Sequence, residues 1–276
     1  MRISSTKNVM VDLQALMGKM FTSNADNAQI SYLSTQPDAN PIWETIVDGN
    51  RAEYKINSVM VEMLTSLNDD RLAIYAGENA SGNIVGKPSG FGVQTTLPNE
   101  DLGYTYANIS PLGEKYLTAT LPGVLMSYSQ LSFLIAEAAN EGYISGGITS
   151  ALDWYKKGIT ASFEFNGLSA SSYLAQPTLD FTTNADARAK IATQEWIALF
   201  GQGFESWTEW RRNKIPVFVG GTGFYVQALI EGLSQMPEIS NSFKKEAEDL
   251  FYQKGPFNPC GLNDQLIALL NFAENG

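Results

Sequence analysis

Histidine is missing from this chain of 276 residues. Its absence removes Ser-His-Asp and Cys-His catalysis and the commonest zinc ligand sets. Cysteine is nearly missing too. Cys260 stands alone, so no internal disulfide can form, and a lone cysteine is ordinarily a small buried side chain or an incidental one. Basic residues are scarce: 18 Lys and Arg against 29 Asp and Glu leave a net charge of −11. They are scattered, with short pairs such as Arg211-Arg212 and Lys244-Lys245, which argues against a nucleic-acid surface. No apolar run approaches the roughly 18 residues of a membrane span. The start, MRISSTKNVMVDLQ, has no apolar core of the kind a signal peptide needs, so the chain as given is expected to stay in the cytoplasm.

What is present is a globular composition, with 44% apolar and 17% charged residues. The length allows one large domain or two ordinary ones. Apolar spacing predicts helices over 6–21, 58–69, 124–141, 148–166 and 184–201, with Ser58 and Asn184 as candidate N-caps. The helices 124–141 and 148–166 flank the turn GYISGG and form an antiparallel pair of tetratricopeptide-like size. Residues 22–57 are polar and loop-like. From 70 to 122 runs a long stretch rich in Gly, Pro, Asn and aromatics, and long irregular segments in compact domains often carry function.

The stretch IPVFVGGTGFYVQALIEGL, residues 215–233, has the look of a nucleotide-binding unit. Its chemistry does not match one. A phosphate loop needs a Lys and a hydroxyl residue after its last glycine, and here Phe224-Tyr225 follows Gly223. A dinucleotide loop needs a third small residue where Val226 stands. GNIVGKP, residues 82–88, is a similar near miss and reads as a turn. The paired carboxylates of a glycosidase are not identifiable from spacing, although Glu44, Asp48 and Glu53 lie near Trp43, and Glu205 and Glu209 lie near Trp207 and Trp210. WTEWRR offers either an exposed cation–π cluster or an interior arrangement. Trp154, Trp196 and Phe200 lie on helical faces and read as core. Aromatics in polar or Gly-rich loops, Trp43, Tyr75, Tyr104 and Tyr106, suit ligand stacking and core packing equally.

Two longer strings carry a resemblance. MSYSQLSFLIAEAANEGYISG (126–146) followed by IATQEWIALFGQGFESWTEWRRNKIP (191–216) resembles the SusD/RagB family, in particular its SusD-like subgroup. SNADNAQ (23–29), SLNDDRLAIYA (66–76) and GKPSGFG (86–92) look similar as well, so the resemblance covers roughly residues 1–213. It implies a mainly α fold: tetratricopeptide-like helix pairs with long irregular loops, in a truncated form. It implies a surface lipoprotein of the outer membrane that binds glycans or similar nutrients without catalysis or cofactor, beside a SusC-like TonB-dependent transporter. On that basis the expected ligand contacts are Trp43, Tyr54, Arg71, Tyr75, Tyr104 and Tyr106. The family's leader, lipidated Cys and first helices have no counterpart here, so binding is expected to be impaired.

Residues 214–255, KIPVFVGGTGFYVQALIEGLSQMPEISNSFKKEAEDLFYQKG, resemble an internal strand-turn-helix of the tRNA dimethylallyltransferases. The phosphate loop and catalytic Asp of that family have no counterpart in this sequence. The expected organisation is therefore a partial SusD-like domain over 1–213 and a foreign C-terminal segment over 214–276, joined near RRNKIP. The alternatives are a fragment related to a prenyl-transferring enzyme, or a chimeric frame without function.

Overall fold

The computed structural model describes residues 9–51, 54–88, 105 and 107–213. The chain divides into two units, Met1–Gly223 and Phe224–Gly276, and every described residue belongs to the first. The 215–233 unit, Cys260, Tyr104 and Tyr106 lie outside the described residues.

The architecture is mainly α. In chain order the helices are α1 (Val9–Leu16), α2 (Pro41–Trp43), α3 (Ser58–Ser66), α4 (Leu72–Tyr75), α5 (Tyr128–Asn140), α6 (Gly147–Phe165), α7 (Ser171–Leu174), α8 (Asn184–Ala198) and α9 (Gly203–Asn213). Two short strands, β1 (Ala28–Ile30) and β2 (Gly123–Met126), pair antiparallel with Gln29 opposite Val124. A two-stranded piece of this size does not hold by itself; it needs a packed neighbour. β2 runs directly into α5, which supplies one.

The pair α5–α6 is the centre of the fold, and α8 packs on both members. Phe133 and Ala136 of α5 meet Tyr155, Ile159 and Phe163 of α6 and Ala187 and Ile191 of α8 in one buried cluster. Each such aromatic or aliphatic side chain contributes about 1.5–3 kcal/mol by leaving water. The two helices approach closely because position 158 is glycine. A Cβ there would stand 2.8 Å from the Phe133 ring, inside van der Waals contact. Ser129 Oγ uses the same approach to donate to the Gly158 carbonyl at 2.7 Å.

Several boundaries differ from the sequence expectation, each for a local reason. Residues 124–126 belong to β2 instead of the first turn of the helix, since Ser127 caps α5 by accepting from Gln130 N at 3.0 Å. Asn57, not Ser58, caps α3, accepting from Val59 N at 2.8 Å. Thr183, not Asn184, caps α8, accepting from Asp186 N at 3.1 Å. Asn184 instead ties α8 to α5: its amide and that of Asn140 donate to each other's backbone carbonyls. Residues 203–213, outside the helices expected from spacing, form the helix α9, and their apolar and aromatic residues do recur at helical spacing.

Candidate functional site

A cleft of about 380 Å³ opens where three parts of the chain meet. Asn40 to Ile42 contribute the start of α2. Leu121 to Leu125 contribute β2 and the turn before it. Phe200 to Glu205 contribute the link from α8 into α9. The lining is mostly aromatic and apolar with a minority of polar side chains, the ordinary character of a small-molecule site. Tyr32, Phe165 and Phe200 line it, and Phe204 does so while 90% exposed.

The walls are held by specific contacts. Asn40 Nδ2 donates to the Leu121 carbonyl at 2.8 Å and fixes α2 against the β2 side. The ring of Tyr32 lies over Gly123, where a Cβ would come within 3.0 Å of the phenol oxygen. Gly201 takes φ +85° and reverses the chain beside Tyr116, which leaves Phe204 free of the core. Lys115, next to Tyr116, sends its ammonium to the Phe165 carbonyl and Asn166 Oδ1 and lies over the Phe165 ring. Burial lowers the pKa of this amine to about 8.

The helix that carries Phe204 is anchored at its far end. Arg212 of α9 donates to Glu209 on the same helix at 2.6 Å, to Glu195 of α8 at 3.3 Å, and to Glu137 of α5. Three carboxylates thus share one guanidinium. Burial pushes the Glu195 carboxyl well above its usual range, and the facing Glu209 carboxylate adds to the rise while Arg212 opposes it. Trp207 and Trp210 stack at 5.0 Å on this helix, with Trp207 half exposed, and Arg212 is turned to the carboxylates.

The expected ligand contacts fall into three groups. Arg71 and Tyr75 are 0% exposed, so neither presents surface to a ligand. Arg71 forks onto Asp69 at 2.9 and 2.6 Å and donates to Ser162 Oγ at 2.8 Å and Gln194 Oε1 at 2.6 Å. Its role is internal: it ties the entrance of α4 to α6 and α8. Tyr75 donates to the Ile197 carbonyl at 3.1 Å and backs the cleft through Phe200. Trp43 is half-buried in α2, one residue beyond the lining, and Tyr54 is exposed beside Arg51. Tyr104 and Tyr106 lie outside the described residues. The lining aromatics absent from the expected contacts are Tyr32, Tyr116, Phe165, Phe200 and Phe204. Phe204 had a readable signal, since it follows the Gly-Gln-Gly turn that exposes it.

Comparison with known proteins places this fold. The family described as "Starch-binding associating with outer membrane", SusD-like, matches residues 1–225. A solved SusD homolog from Bacteroides vulgatus is similar with a TM-score of 0.65 at 23% identity, covering 91% of this chain and 55% of that one. A chitin-binding SusD homolog from Flavobacterium johnsoniae gives 0.60 at 23%, covering 86% of this chain and 53% of that one. The IPP transferase family matches residues 183–269. The chain is 39% identical over 77 residues to the tRNA dimethylallyltransferase of Pelagibacter ubique, which is 25% of this chain and 24% of that protein. The chain therefore spans little more than half of these solved structures and about a quarter of that transferase. The chain belongs to the SusD-like family.

Proposed function

We propose that this SusD-like chain captures a glycan or similar nutrient fragment in the cleft, without catalysis, and hands it to a SusC-like TonB-dependent transporter at the outer membrane. One observation carries the reading: Phe204 is 90% exposed on the rim of an aromatic-lined cleft, where a water-facing ring has no role in folding. A sugar's C–H face stacks on such a ring while its hydroxyls reach the polar groups beside it. Trp43 and Tyr54 keep accessible surface and extend the proposed contacts beyond the cleft. Among the described residues no group of His, Cys, Asp and Glu is arranged to hold a metal ion, and no helix is long and apolar enough to cross a membrane.

Titration calorimetry against a panel of neutral oligosaccharides tests this. Binding is expected, and Phe204→Ala weakens it about fivefold, the effect of losing one aromatic contact of about 1 kcal/mol. Affinity unchanged by that substitution places the ligand elsewhere.

A second reading follows from the transferase match: binding of a prenyl diphosphate through the segment 214–255, which we assign to a C-terminal region separate from 1–213. Titration with dimethylallyl diphosphate discriminates. Our reading expects no heat, and saturable binding favours the enzyme.

A further inference from the structure

We propose that the cleft sorts saccharides by charge, taking neutral and amino-bearing sugars and turning away uronic and sulfated ones, with Glu205 setting the sign. This rests on the binding reading above and goes further, to the class of ligand. Among the described residues that line the cleft there is no Lys or Arg, and Glu205 is the single charge. The nearby cations lie outside the lining and are held by other groups. Lys115 points to the Phe165 carbonyl and Asn166, and Arg212 lies among Glu137, Glu195 and Glu209 at the other end of α9.

The other polar side chains of the lining, Asn24 and Gln202 among them, are neutral. The Glu205 carboxylate accepts one long contact, from Gln130 Nε2 at 3.4 Å, and the residue is exposed. A lone carboxylate at the rim pairs with donors. Sugar hydroxyls and ammonium groups donate; an ionised carboxylate or sulfate ester has nothing to donate and meets a like charge. At the spacing of neighbouring groups in a wet cleft that repulsion is worth about a fivefold loss of affinity, and more where water is excluded. It also weakens as salt is added.

The experiment compares ligands of one length and linkage that differ in charge. Maltohexaose is set against α-1,4-hexaglucuronate, and cellohexaose against β-1,4-hexaglucuronate and chitosan hexamer. All are titrated into the full chain at low and at moderate salt. The expected result is that a neutral or amino hexamer binds at least about fivefold more tightly than its matched uronate, with the gap narrowing at higher salt. Glu205→Gln closes the gap, and Glu205→Lys reverses it, with unchanged circular dichroism. A uronate that binds as well as its neutral partner overturns the sorting while leaving saccharide capture intact, and so does a gap indifferent to Glu205→Gln. Silence from all five saccharides overturns capture itself, and the sorting with it.

Discussion

Tyr75 lies flat against Phe200, ring centroids 4.2 Å apart and planes 8° from parallel. Tyr116 closes on both edge-on, at 5.5 Å from Tyr75 and 4.7 Å from Phe200. One ring is wholly interior and the other two line the cleft, so the site's back wall and the core are a single aromatic cluster. Damage to the interior ring should therefore register in stability first and in binding second.

Tyr75→Ala is expected to cost about 3–5 kcal/mol, the usual penalty for emptying an aromatic core position. Tyr75→Phe keeps the stack and loses the hydrogen bond to the Ile197 carbonyl, for about 1 kcal/mol. Urea unfolding followed by circular dichroism gives both numbers. Equal losses would mean that the hydroxyl, not the ring, holds the wall.

The ion pair of Arg71 and Asp69 has both side chains fully buried. Removing one partner strands the other charge, so Arg71→Ala and Asp69→Ala each cost about 3–5 kcal/mol. The double variant should lose clearly less than the sum, because neither charge is then left alone. Additive losses in a double-mutant cycle would show that the two residues act through separate neighbours.

Glu195 makes stability depend on pH. Its folded-state pKa lies above the ordinary carboxyl value near 4.5. Between that value and the raised one the native chain holds a proton that the unfolded chain has lost. Stability therefore falls as pH rises across this window and levels off above it. Glu195→Gln keeps an amide to donate toward Glu209 and cannot titrate. The variant should match the parent near pH 4 and exceed it in stability near pH 8, seen in thermal melts across that range. A difference that shrinks as pH rises would reverse the assignment.

Gly158→Ala sets a methyl group against the Phe133 ring at 2.8 Å. Ala is ordinarily the better helix former by about 1 kcal/mol. Here overpacking is expected to win, with a net loss of about 1–2 kcal/mol. Pairing it with Phe133→Leu should recover part of that loss, as measured by the urea midpoint.

The helical scaffold was legible because its signal is periodic. Phe133, Ala136 and Ala139 recur on α5 and Tyr155, Ile159 and Phe163 on α6, and burial follows that spacing. The cap positions were off by one residue, since Asn57-Ser58 and Thr183-Asn184 each offer two adjacent capping side chains and geometry chooses between them. Most of β2 was absorbed into the helix because Val124 to Met126 are apolar and its partner, β1, lies about a hundred residues earlier. The candidate contacts at Arg71 and Tyr75 show a different limit. An arginine and a tyrosine after a polar turn look like surface chemistry, and nothing local reveals that Ser162 and Gln194 will arrive to bury them. The cleft has the same origin: Tyr32, Phe165 and Phe204 are far apart in the chain and meet through tertiary packing alone.

The fork of Arg71 onto Asp69, with Ser162 and Gln194 behind it, stands where the chain leaves the helices for the stretch that ends at β2. The return point is fixed as well, by the pairing of Gly123 with Ile30. The segment between the two clamps carries its own share of the core, Tyr75, Ile109 and Tyr116 among it, so it is held at these positions as well as at its ends. A change of sequence there is tolerated only where it spares those positions.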